Sequence, residues 1–162
     1  MSNQLILVLN CGSSSLKGAV IDRKNGKVLL SCLGERLGTP EAVITFSKDG
    51  KKCQTALTGR NDHAGAVGML LKELEKHGLH DRIKAIGHRI AHGGEKYSES
   101  VLIDQAVMDE LNACIPLAPL HNPANINGIL AAQEHFPGLP NVGVMDTSFH
   151  QTMPERAYTY AV

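Results

Sequence analysis

Five consecutive apolar residues, Leu5–Leu9, run straight into a turn-forming cluster from Asn10 to Ser15. An apolar run of that length closed by a turn predicts a buried central strand ending in a tight loop. Leu16 to Asp22 predicts a second strand, and Asn25-Gly26 a hairpin into a third over Lys27 to Leu33. Two more strands are expected at Ala42 to Ser47 and Cys53 to Leu57, around the turn Lys48-Asp49-Gly50. The chain therefore opens as a β-meander.

The period then changes. Asn61-Asp62 is a good helix start, and Ala66, Met69, Leu70 and Leu74 form one apolar face of a helix to about His77, stopped by Gly78. Ile83 to Ala91 reads as a buried strand ahead of Gly93-Gly94. Asp104 to Cys114 predicts a second helix, with Val107, Leu111 and Cys114 on one side. Pro116, Pro119 and Pro123 give a fixed irregular loop, with Pro123 opening a third helix to about His135. Asn141 to Met145 is a last short buried strand that delivers Asp146 at its C-terminal end. Antiparallel strands followed by alternating helix and strand predict an α/β domain, its hairpin-built sheet extended by parallel strands through helical crossovers.

Composition narrows the function without naming it. At 162 residues the chain can bury a real core, and 43% hydrophobic with 20% charged residues is ordinary for a globular domain. Lys plus Arg equals Asp plus Glu at 16 each, which argues against a nucleic-acid partner but not against a small anion in a local pocket. Cys11, Cys32, Cys53 and Cys114 contain no Cys-x-x-Cys pair, so no structural zinc site is expected. The start MSNQLILVLN lacks a basic segment and a long apolar run, so neither a signal peptide nor a membrane span is predicted. A cytoplasmic location is the resulting expectation.

Four segments could carry chemistry. Asn10 to Lys17 brings a glycine, three hydroxyls and a lysine together, the parts of a phosphate cradle, although no Walker loop is present. Such a turn is by itself usually only a turn; Asn10, an amide closing an apolar strand, is the unusual member. In Gly87 to Tyr97, Arg89 offers the planar fork suited to a carboxylate or phosphoryl oxygen. His88, His92 and Glu95 could be read as metal ligands, but the spacing is wrong for a helix, and strand-end histidines more often hydrogen-bond structurally. His121 lies between prolines in a loop before a helix N-terminus. Asp146 follows a buried strand, where α/β enzymes place working carboxylates, although an Asp before Thr-Ser can also be a cap.

Taken together, LVLNCGSSSLK, GHRIAHGGEKY, PLHNPA and MDTSFHQTMPE resemble the acetate kinase family in sequence, order and spacing. The resemblance implies a ribonuclease H-like domain of the acetate and sugar kinase/Hsp70/actin superfamily, a mixed sheet flanked by helices. Residues 1–162 would be the N-terminal domain of a two-domain kinase, with the second domain absent. It further implies reversible ATP-dependent phosphorylation of acetate to acetyl phosphate, magnesium as cofactor with ATP, and a homodimeric full-length protein. Residue by residue, Asn10 would help hold the metal, and Lys17, Ser13 and Ser14 would lie by the nucleotide phosphates. Arg89 would bind the acetate carboxylate, with Ala91 and Leu120 walling the methyl pocket. His121 would contact the transferred group, and Asp146 would be the catalytic carboxylate, orienting Arg89 or the metal. Ala91 is often a larger aliphatic residue in the family, which leaves propionate or butyrate as alternative substrates. A non-catalytic ATPase-fold module is a further alternative, disfavoured by the segments around Arg89 and His121. The chain by itself is expected to be inactive.

Overall fold

A computed structural model of the chain describes residues 4–57, 59–90, 101–113 and 121–145, with backbone only at 90, 121, 122, 144 and 145. The elements are β1 (Leu5–Cys11), β2 (Leu16–Asp22), β3 (Val28–Glu35), β4 (Val43–Lys48) and β5 (Lys51–Ala56), then α1 (His63–Lys76). A 3-10 turn at His80–Arg82 leads into β6 (Ile83–Ile90). β7 (Val101–Leu102), α2 (Gln105–Ala113), α3 (His121–His135) and β8 (Asn141–Met145) follow.

Among the described residues an eight-stranded sheet runs β5-β4-β3-β2-β1-β6-β8-β7. The first five strands pair antiparallel in sequence order, as the meander pattern predicts. β6 then adds parallel to β1, and β8 parallel to β6. The unpredicted β7 is too short to leave an apolar signature and closes the edge antiparallel to β8.

Boundary differences have local causes. β5 starts at Lys51 rather than Cys53, because Asp49 and Gly50 both adopt positive φ (54° and 78°). That two-residue hairpin turn pairs Lys48 directly with Lys51. Every residue of this edge strand is exposed, so its polar start carries no burial signal. α3 begins at His121, two residues before Pro123, so His121 is helical rather than in a loop. A proline in the first turn costs no helix bond, because those N–H groups have no intrahelical partner.

The core lies between the sheet and α1 with α3. Leu5, Leu7, Leu9, Leu16, Leu30 and Ile44 from the strands meet Ala66, Val67, Leu70 and Leu74 of α1 and Ala131 and Ala132 of α3. α2 packs on α3 through Val107, Met108, Leu111, Ile126 and Ile129. Asp62 caps α1 by accepting from Gly65 N–H at 2.9 Å. Gly65 has no room for a side chain, since a Cβ there would collide with Arg60 O. Both features fix where α1 begins, and its first residue, His63, is buried.

Candidate functional site

Parallel β1, β6 and β8 are neighbours, so their C-terminal ends form one row at one end of the sheet. Ligands of α/β proteins bind beyond such strand ends. The register decides which side chains meet there. Leu9 pairs with His88, Asn10 with Lys17 and His88 with Gly143. Alternation along each strand puts Leu9, Cys11 and His88 on the face covered by helices. Asn10, Lys17 and Arg89 therefore share the opposite face, at the same end. Asn10 and Arg89 are half-buried and Lys17 is exposed. Lys17 also borders a depression of about 500 Å³ with Ser31, Thr45, Ser47 and Lys52.

The serine turn links β1 to β2. Gly12 N–H donates to Ser15 O at 2.9 Å, and Leu37 N–H to Ser14 O at 2.9 Å. His63 Nε2 lies 2.7 Å from Gly12 O and 3.1 Å from Ser15 O. Ser13 and Ser14 project into solvent at the tip. A Cβ on Gly12 would lie 2.6 Å from Ser15 Oγ, a contact that rotation of that hydroxyl can relieve.

His88 is wholly buried, and its Nε2–H donates to Asn141 Oδ1 at 2.7 Å. The Asn141 amide nitrogen in turn donates to Leu139 O at 3.1 Å, which fixes its oxygen toward the imidazole. Burial holds the His88 pKa down at about 4, against a smaller upward pull from Asn141, so the ring is neutral. It pins β6 to β8, with Nε2 committed to Asn141; His92 and Glu95, its partners in a metal reading, lie outside the described residues.

α3 brings its N-terminal half to the same end. Asn125 Nδ2 donates to Cys11 O at 3.3 Å, and a Cβ on Gly128 would lie 2.6 Å from Cys11 Sγ. His121 sits one turn earlier on this helix, and Asp146 directly follows the last residue of β8. Ala91, Leu120 and Asp146 lie outside the described residues. Burial raises the thiols of Cys11 and Cys32 to about 12, so both are packing groups, not nucleophiles.

The geometry thus brings Asn10, Ser13, Ser14, Lys17 and Arg89 to one end of the sheet and puts the backbone of His121 on the helix docked there. It adds three residues that pattern reading passes over: His63, Asn125 and Gly128. His63 follows a helix cap, where a histidine is usually solvated, so only its burial marks it. Asn125 and Gly128 share one face of α3, four and seven residues after His121, a spacing that hints at a tightly docked helix end.

A mixed sheet with an antiparallel opening, helical crossovers and a site at its parallel strand ends defines a ribonuclease H-like domain of the acetate and sugar kinase/Hsp70/actin class. Solved structures of two kinases overlay on it. A propionate kinase from Francisella tularensis gives a TM-score of 0.85 at 43% identity, over 94% of this chain and 39% of that one. The Porphyromonas gingivalis acetate kinase gives 0.84 at 42% identity, over 94% and 39%. The family model for the acetokinase family matches residues 5–162, and the chain belongs to that family. In sequence it is 91% identical over 162 residues to acetate kinase 2 of Neisseria meningitidis serogroup B, covering 100% of this chain and 41% of that protein. It is 62% identical to acetate kinase 1 of the same organism, again over 100% and 41%. The chain therefore spans about two fifths of the length of these relatives.

Proposed function

We propose that residues 1–162 form the N-terminal domain of a two-domain acetate kinase, which transfers the γ-phosphoryl group of ATP reversibly to acetate. The carrying observation is the convergence of Asn10, Lys17 and Arg89 on one sheet face, beside the serine turn. Phosphoryl transfer to a carboxylate brings two anions together, so catalysis is mainly alignment and charge neutralisation. Acetate is already ionised at neutral pH and needs no strong base. Arg89 binds the carboxylate and steadies the moving phosphoryl group through its fork of donors. Lys17, Ser13 and Ser14 receive the nucleotide phosphates, and His121 covers oxygens of the transferred group. Asp146 orients Arg89 or the metal.

Asn10 fits the family's magnesium. Its half-buried amide offers one hard oxygen, and Mg²⁺ typically takes one or two protein oxygens plus phosphates and waters. The ion would neutralise charge on the nucleotide phosphates. A cytoplasmic homodimer acting on acetate and ATP or ADP, with no nucleic-acid or membrane partner, completes the reading. No described helix is long and apolar enough to cross a membrane.

Propionate is the second substrate to weigh, because a propionate kinase shares the fold at 43% identity. Ala91 and Leu120 wall the acyl pocket, and one methylene there discriminates by only ~1–3 kcal/mol. The test joins this chain to the C-terminal remainder of its 91%-identical relative and measures acyl phosphate trapped with hydroxylamine. Arg89→Lys keeps the charge but loses the fork, and should lower kcat/KM for acetate roughly 30-fold or more. Unchanged kinetics would remove Arg89 from the site. Ala91→Val should shift the acetate-to-propionate ratio toward acetate, and an unchanged ratio refutes the pocket assignment.

A further inference from the structure

The sequence places three hydroxyls in the turn after β1, but hydroxyls on a loose turn make a poor anion site. What sets this turn is the direction of its peptide groups. Three of its carbonyls are held from the helix-bearing side of the sheet. Gly12 O and Ser15 O face His63 Nε2 at 2.7 and 3.1 Å, and Ser14 O accepts from Leu37 N–H at 2.9 Å. Both neighbours of the imidazole nitrogen are carbonyl oxygens, so that nitrogen carries hydrogen and donates to both. Leu37 belongs to the core that α1 covers, and Gly38 beside it donates to Asn61 O just before α1, so this loop holds Ser14 O from the side on which His63 lies.

A trans peptide is planar, and its N–H points opposite to its C=O. Fixing Gly12 O toward α1 therefore turns the Ser13 N–H away from α1, and fixing Ser14 O turns the Ser15 N–H the same way. Among the described residues neither N–H has a backbone acceptor. Two amide dipoles and the Ser13 and Ser14 side chains are thereby presented at the tip of the turn, beside Lys17. Two N–H groups turned to one side of a turn, here at alternate residues, can share one anion.

His63 is suited to hold this arrangement. It is 7% exposed, so water competes little for its bonds. It is also the first residue of α1, whose start is fixed by the Asp62 cap and by the absence of a side chain at Gly65. Asn61, two residues earlier, is tied to the Arg36–Thr39 loop by Gly38 N–H to Asn61 O at 2.8 Å and by Asn61 Nδ2 to Thr39 O at 2.9 Å. The donor thus sits on a rigid element, not on the turn it controls.

We propose that His63 is a positioning residue for phosphoryl transfer: it clamps the Gly12–Ser15 turn so that the Ser13 and Ser15 N–H groups face the nucleotide phosphates. The proposal rests on the kinase reading above and adds a residue more than forty positions from the turn it controls. It acts through the turn and touches no substrate.

The experiment uses the chain joined to the remainder of its close relative, with His63→Leu and His63→Gln compared to the unmodified protein. Leu fills the site without a donor, whereas the Gln amide can place an N–H near the position of Nε2. Hydrogen exchange by mass spectrometry over residues 12–16 reads the clamp, and steady-state kinetics reads its consequence. His63→Leu should speed exchange of that segment and raise KM for MgATP, lower kcat, or both, on the order of tenfold. KM for acetate should stay within about twofold, and His63→Gln should recover most of the loss. If His63→Leu leaves exchange unchanged, there is no clamp. If exchange rises but MgATP kinetics do not change, the turn is clamped yet does not serve the phosphates, and that part of the kinase reading fails. Equal kinetic loss in Leu and Gln variants, tracking loss of thermal stability, would overturn the positioning role in favour of plain packing.

Discussion

His88 and Arg89 are adjacent in sequence and opposite in fate, because a strand turns successive side chains to opposite faces. The neutral, buried His88 locks β6 to β8 through Asn141, and so holds Arg89 in place on the other side. Its depressed pKa makes the lock pH-sensitive. Folded His88 takes a proton only near about 4, whereas an unfolded histidine takes one near 6.5. The unfolded state thus binds more protons between those values, and stability falls as pH drops from about 6.5 to about 4. Its contribution is fully present above that window. Roughly 2 kcal/mol from this residue should be lost between about pH 7 and pH 5. Urea unfolding at the two pH values measures this, with His88→Gln as the comparison that keeps an N–H donor but cannot titrate. An equal pH loss in the Gln variant would show that other groups carry the acid sensitivity.

At the scale of elements, the junction of β1 with α3 decides whether the helix end bearing His121 reaches the strand-end row. Gly128 lets α3 approach until its Cα region meets the Cys11 thiol, and Asn125 ties the helix to Cys11 O. Gly128→Ala should push α3 off β1 and cost roughly 1–3 kcal/mol by overpacking. Cys11→Ala vacates the colliding sulfur, so the double variant should be more stable than the sum of the two single losses predicts. Additive losses in chemical denaturation would mean that the close approach is not limiting. This junction also shows what the sequence reveals. Apolar periodicity and turn chemistry predict seven of the eight strands and all three α-helices among the described residues near their observed places, because burial writes a period of two or 3.6 along the chain. Asn10, Lys17 and Arg89 stand out as chemistry-bearing residues at strand ends. Pairings 51 or 114 residues apart, His63 with Gly12 and Asn125 with Cys11, leave no local trace. They depend on which strands and helices become neighbours, and only the assembled sheet supplies that.

For the molecule as a whole, the sheet presents its strand-end row along one end, and on the acetate kinase reading the residues placed there form one wall of a cleft. Two cations, Lys17 and Arg89, one amide and a serine turn can receive phosphates and a carboxylate from one side. An in-line transfer needs the attacking oxygen, phosphorus and leaving oxygen held in line and screened from water. One wall cannot enclose them, and the relatives are about two and a half times as long as the 162 residues that match them. The acetate kinase reading therefore expects the isolated 162-residue chain, folded by circular dichroism, to yield no acetyl phosphate from acetate, ATP and magnesium. The same chain joined to the remainder of its relative should be active. Weak nucleotide binding by the isolated chain fits this reading, since the clamped turn and Lys17 belong to the first wall. Turnover by the isolated chain would mean that the transferring group is aligned from one domain alone. The division of labour between two walls would then be wrong, although the family assignment would stand.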